Sequence, residues 1–300
     1  MCGIMGWEFT KKLQVSREQR AILAAILSTR NDDRGGDSWG FYDGKQIRRG
    51  LKDIAPMSLA MATADTLVAH TRKATTGAKT VENAHPFTIG NIIGAHNGMI
   101  SNHDSLNKKH NRNYEVDSMH LFGHLNESKP FDEIYGYGSI EFIKKNEPGK
   151  IFLCKMKSGE LGVYGIGSKE TKNVKGVLWS SDSDHAEEAM RAAKIPFFKY
   201  ATEEETVYFI QNGTLYESKD KLTLGSNRSS YLPDWRDGLR SSAWEGWEDV
   251  DSKDKDQNVF SFSEKRDYND MRRIWKEHTG ASFVDDVQDY GNEKYFLNRG

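Results

Sequence analysis

A chain of 300 residues with 37% hydrophobic residues can bury the core of one large domain or two modest ones. Its net charge of -2 gives no overall field toward nucleic acid or an acidic membrane surface, and its short basic patches lack interleaved aromatics, so direct nucleic-acid binding is not expected. Two distant cysteines, Cys2 and Cys154, make a poor disulfide framework; with no signal segment and no apolar run of ~20 residues, a soluble cytoplasmic protein is expected.

Taken in order, residues 4–9 read as a strand. The segment SREQRAILAAILSTR reads as a helix, with Ser16 and Gln19 as a capping box and Ile22, Ala25, Ile26 and Thr29 along one face. SWGFYDGKQIRRG predicts a hairpin turning at Asp43-Gly44. TLVAHTR, NIIGAHN and IFLCKMK predict three short strands, the last burying an inert Cys154. KSGE and QNGT predict further hairpin turns, the second between VYFI and LYES. Helices are expected at 102–109, 117–126, 139–146 and 184–193. Many hairpins beside several helices argue for antiparallel sheet with helices packed outside it. The composition changes near residue 218. We expect one domain over 1–217 and a polar extension over 218–300. That extension holds Trp235, Trp244, Trp247 and Trp275, and RDYNDMRRIWKEH within it could form a short helix. Aromatics in such numbers suggest a segment partly ordered, docked on the main domain or contacting a partner.

Cys2 is the first candidate for chemistry. Removal of Met1 would place its thiol and a free α-amine on one residue. The amine, with a pKa of about 7.7–8.0, could serve as the general base. The bland alternative is a small buried cysteine beside a strand. Other segments supply what an amide-hydrolysing site needs. Arg72 ends a strand and could grip a carboxylate with two parallel hydrogen bonds. Asn97-Gly98 offers a side-chain amide and an unobstructed backbone N–H for an oxyanion. Asp117 could hold a substrate ammonium. Singly, these residues could be a surface ion pair, a turn and a helix N-cap.

The segments CGIMG, DDRGGDSWGF, HTRKATTG, NAHP, HNGMISN and VDS, in this order over residues 2–215, resemble the class II glutamine amidotransferases, whose nucleophile is N-terminal. The resemblance implies an α+β fold of the Ntn-hydrolase type: a four-layer αββα sandwich of two antiparallel sheets between helical layers. It implies that Cys2 attacks the side-chain amide of L-glutamine, forming a γ-glutamyl thioester and releasing ammonia. Asn97 and Gly98 would stabilise the oxyanion. Arg72, Thr75 and Thr76 would bind the α-carboxylate and Asp117 the α-ammonium. Arg34, Asp37 and His85 would support the site, and residues 73–81 would form a loop closing over glutamine. The places where amino-sugar synthases of this family carry an aromatic and a histidine hold Lys73 and Thr76 here.

The sequence contains no phosphate-cradling loop and no recognisable synthase signature. The ammonia acceptor is therefore expected on another chain. Stand-alone domains of this kind resemble ones encoded by bacteriophages. No cofactor is implied. His120 and His124 have metal-compatible spacing, but no third ligand is evident, so no metal is expected. Two other readings stay open: an N-terminal-nucleophile amidase for a different amide, and a non-enzymatic scaffold that retains the fold.

Overall fold

A computed structural model describes residues 2–10, 15–168 and 173–225. The extension beyond 225, with its four tryptophans and expected helix, lies outside the described residues. The strands are β1 Gly3–Phe9, β2 Ser38–Tyr42, β3 Ile47–Leu51, β4 Thr66–Arg72, β5 Phe87–Ile89, β6 Ile92–Ile100, β7 Gly136–Lys144, β8 Ile151–Lys155, β9 Gly162–Ser168, β10 Asn173–Ser180, β11 Phe197–Lys199, β12 Thr206–Gln211 and β13 Thr214–Lys221. The helices are α1 Arg17–Gly35, α2 Ala55–Met61, α3 His103–Lys109, α4 Met119–Glu127 and α5 Ser183–Ala192.

Two antiparallel sheets form, in the orders β11-β9-β10-β1-β4-β2-β3 and β13-β12-β8-β7-β6-β5. Alternation along the strands builds the layers. Met5, Trp7 and Phe9 of β1, with Leu67 and Ala69 of β4, face α1, α2 and α5 in one core. Ile140 and Phe142 of β7, with Phe152 and Cys154 of β8, join Leu121 and Phe122 of α4 and Leu106 of α3 in a second. Val68, Ile143, Leu153, Val177 and Trp179 fill the space between the sheets. Three apolar layers separated by two sheets give the expected αββα sandwich.

The local signals explain much of this. Ser16 and Gln19 form the reciprocal capping box, with Ser16 Oγ accepting from Gln19 N at 3.1 Å and Gln19 Oε1 accepting from Ser16 N at 3.2 Å. Asp43 accepts from the N–H groups of Lys45 and Gln46 and closes the β2–β3 turn. Asn212 and Gly213, both at positive φ, join β12 to β13.

Four expectations are corrected. Residues 139–146 are not a helix: residues 136–144 form β7, a central strand buried on both faces, so its pattern carries no simple alternation. KSGE is not a hairpin turn, because β8 and β9 lie in different sheets. Asn97-Gly98 is not a strand-to-loop turn; β6 runs on to Ile100. The boundary placed at 217 falls inside β13, and Leu222 and Leu224 beyond it are buried. Among the described residues no helix is long and apolar enough to cross a membrane.

Candidate active site

Cys2 stands at the entry to β1, half-buried, with Gly3 opposite Thr71 of β4. A side chain at position 3 would strike Asn31 of α1 at 2.2 Å, so glycine lets helix and strand touch beside the cysteine. The register brings Cys2 to the residue that follows β4. Lys73 N donates to Cys2 Sγ at 3.3 Å, and the thiol faces the Lys73 carbonyl at 3.5 Å. Burial pushes the thiol pKa up. The Lys73 N–H, the chain's amino terminus and Arg72 pull it down, and Asp117 opposes them.

Arg72 is 2% exposed. Its guanidinium donates to the carbonyls of Thr76 at 2.5 Å and Ala78 at 3.2 Å. Burial lowers its pKa, while Cys2, Asp117 and Asp37 all act on it in the other direction. These four groups therefore share one electrostatic neighbourhood. A buried cation whose hydrogen-bond partners are neutral carbonyls is poised to take an anion.

The segment 73–81 is pinned at both ends. Asp37 accepts from Ala74 N at 2.9 Å and pairs with Lys79 at 2.7 Å. Asn83 donates to Ala78 O and to Glu115. Thr75 is exposed and Thr76 half-buried on this loop. Arg34, only three residues before Asp37, turns the other way. It pairs with Asp182, the N-cap of α5, at 2.8 Å and with Glu160 at 3.8 Å. Those two carboxylates line a polar cavity of about 740 Å³ with Lys155, Ser181 and Lys199.

Asn97 and Gly98 sit half-buried in β6, opposite Ser139 and Gly138 of β7. A side chain at 98 would meet Tyr137 O at 2.0 Å and His96 Nε2 at 2.5 Å, so only glycine fits. Asp117, 4% exposed, precedes α4 but does not cap it: its carboxylate accepts from Ile100 N at 2.7 Å, and the N-cap residue is Ser118. His96 Nδ1 lies 2.8 Å from Ser118 Oγ. Two links thus fix the approach to α4 against β6. A third link joins the sheets, from His70 Nε2 of β4 to the carbonyl of His96 at 3.2 Å.

His85 is buried, its ring tilted against His70 at 4.1 Å and against Phe87 at 4.3 Å between centroids. Burial holds it neutral, far below its usual pKa, and carries His70 to about 3. His85 is a packing group between the layers. Sequence reasoning missed His70, His96 and Ser118; their signal lay in the neighbours of Arg72, Asn97 and Asp117, but their partners are set only by the sheet pairing. Cys154 is wholly buried and its thiol is pushed up to about 12, as suits an inert strand residue.

No family model matches the chain. Glutamine–fructose-6-phosphate aminotransferase (isomerizing) from Wigglesworthia glossinidia brevipalpis is 36% identical over 122 residues, 36% of this chain and 18% of that protein. The same enzyme from Pseudomonas putida is 32% identical over 198 residues, 57% of this chain and 31% of that protein. By these matches the chain is similar, over at most 57% of its length, to glutamine amidotransferases of class II. It therefore matches less than a third of the length of these relatives. Glutamine phosphoribosylpyrophosphate amidotransferase from B. subtilis shares the fold, at a TM-score of 0.50 and 15% identity, covering 72% of this chain and 49% of that one.

Proposed function

We propose that this domain hydrolyses the side-chain amide of L-glutamine at Cys2 and passes the ammonia to an acceptor on another chain. The observation that carries the proposal is the shared neighbourhood of Cys2, Arg72 and Asp117, in which the buried guanidinium meets only carbonyls. With Met1 removed, the α-amine of Cys2 takes the thiol proton as the thiolate attacks the amide carbon. Asn97 Nδ2 and the Gly98 N–H receive the oxyanion. Collapse of the tetrahedral intermediate expels ammonia, which takes the proton back from the amine, and leaves a γ-glutamyl thioester. Water activated by the same amine then releases glutamate and restores the thiol. Arg72 binds the α-carboxylate with the Thr75 hydroxyl and the Thr76 backbone, and Asp117 binds the α-ammonium. Asp37 holds the loop that covers the substrate, Arg34 fixes the start of α5, and His85 packs behind β4.

The reading is tested by intact mass before and after exposure to diazo-oxo-norleucine, an electrophilic glutamine analogue. We expect loss of Met1 and one adduct on Cys2, suppressed by L-glutamine. A processed chain that takes no adduct, with or without candidate acceptor chains, would remove glutamine hydrolysis as its activity.

A further inference from the structure

One row of rings crosses the helical face of the six-stranded sheet. In the strand register Phe87 stands opposite Gly94, Gly94 opposite Phe142, Phe142 opposite Phe152, Phe152 opposite Phe209, and Phe209 opposite Tyr216. Partners directly opposite share a face, so all five rings lie on one side. Phe142 stacks on Phe152 at 5.0 Å, Phe152 meets Phe209 at 6.1 Å, and Phe209 stacks on Tyr216 at 5.0 Å. The gap at Gly94 is filled by Phe122 of α4, because a side chain at 94 would strike that ring. Helix α4 packs on β5 and β6, so it covers the start of the row. Tyr216, at the other end, is 46% exposed.

Beside the uncovered half runs a groove of about 530 Å³. Its apolar lining is Leu125, Phe131, Phe142, Phe152, Val207 and Leu222. Its rim carries Lys129, Lys144 and Lys221 against Asp132 and Asp220. Lys144 Nζ also lies 4.7 Å from the Phe152 ring centre, and Lys150 Nζ lies 5.1 Å from that of Phe209. Both ammoniums share a single carboxylate, Glu147, at 3.1 and 2.9 Å. The row therefore offers flat apolar surface with a surplus of positive charge above it. It fits an extended ligand that carries rings and acids together.

The chain itself supplies such a ligand and delivers it here. Leu222 and Thr223 line the groove, and Gly225 N donates to Ile134 O at 2.9 Å. Residues 226–300 thus set out from the groove's own wall. Among them, the stretch WEGWEDVD at 244–251 holds two tryptophans, four acids and no base. Trp275 differs, standing among Arg272, Arg273 and Lys276, and Trp235 is followed by Arg236. The link from Gly225 to Trp244 can span up to ~60 Å, ample for a site that begins beside Leu222. We propose that residues 244–251 dock on the uncovered half of this row. Trp244 and Trp247 cover Phe209, Tyr216 and the groove, and the acids meet Lys144, Lys150 and Lys221. The segment would hold the C-terminal end of α4 against the sheet, and the groove shares no residue with the Cys2 site.

The test uses the full chain with Tyr216→p-benzoylphenylalanine, an exposed position, irradiated and read by intact mass and peptide mapping. We expect a cross-link within one chain, from position 216 to residues 244–251. Trp244→Ala combined with Trp247→Ala should lower its yield about tenfold or more, as for the loss of two anchoring rings. Glu245→Lys combined with Glu248→Lys, which keeps both rings, should lower it about threefold. Cross-links to a second copy of the chain, cross-links to residues 268–277 in place of 244–251, no cross-link beyond residue 225, or a yield unchanged in the double tryptophan variant would each overturn the proposal.

Discussion

Two polar clusters in this molecule are built in opposite ways. Around Arg72, one buried cation meets neutral carbonyls, and the acids that feel it, Asp37 and Asp117, are engaged by other groups. Around Glu133, one acid gathers Lys109, His110 and His124. The first cluster lacks a negative charge and so points to an anionic ligand. The second is closed, because an ammonium and two imidazoles already meet the two oxygens of the carboxylate. What is missing from the first, rather than what is present in it, defines its ligand.

The sharpest way to break this contrast is to remove the cation. Arg72→Ala should cut kcat/KM for glutamine by about 10³-fold, since truncating one partner of a buried charged contact costs ~2–5 kcal/mol. Steady-state glutaminase kinetics would check it; a loss under tenfold would mean that Arg72 serves the loop and not the substrate. Asn97→Ala should lower kcat by about 10²-fold with KM little changed, as expected for an oxyanion donor engaged in the transition state. An equal effect carried in KM would place Asn97 on the ground-state substrate instead.

Much of the Arg72 neighbourhood was legible in the sequence because its residues are rare types at element ends: a cysteine before β1, an arginine ending β4 and an aspartate just before α4. Hairpins such as Asp43-Gly44 and helices such as the one opened by Ser16 and Gln19 argued for antiparallel sheet with helices outside it, and the resemblance supplied the four-layer αββα form. Residues whose environment comes from distant sequence were not legible. β7 was not legible as a strand: its Glu141 is buried and accepts from Trp179 Nε1 at 2.5 Å, 38 residues away. The Glu133 cluster was invisible for the same reason. Spacing paired His120 with His124, but the fold turns His120 Nε2 toward His103, at 3.2 Å, and gives His124 to Glu133.

The neutral histidines between the sheets extend the contrast to pH. His70 is wholly buried and held at about 3, while the unfolded chain titrates near 6.5. Below pH 6.5 the unfolded state therefore binds a proton that the folded state refuses, so stability falls as pH falls. From pH 6.5 to 5 this one group removes about 2 kcal/mol, at 1.36 kcal/mol per unit. His85, whose pKa burial also lowers, adds in the same direction. Urea unfolding at pH 7 and 5 would measure the loss, and His70→Asn should flatten the slope. An unchanged midpoint would mean that the inter-sheet histidines take up protons in the folded state.

The smallest effect isolates the loop from the charge that it covers. Asp37 touches Ala74 and Lys79 but contributes to Arg72 only through its field. Asp37→Asn keeps the shape, weakens the acceptor to Ala74 N–H and removes the pair with Lys79. Lys79 is 62% exposed, so that pair contributes little by itself, ~0.2–1 kcal/mol. With the weakened backbone bond, the change should raise KM for glutamine about tenfold and leave kcat within about twofold, because no atom of Asp37 meets the reacting amide. Lys79→Ala, which spares the bond to Ala74, should raise KM by no more than about threefold. If instead Lys79→Ala matched Asp37→Asn, the exposed ion pair and not the backbone contact would be what holds the loop over the buried guanidinium.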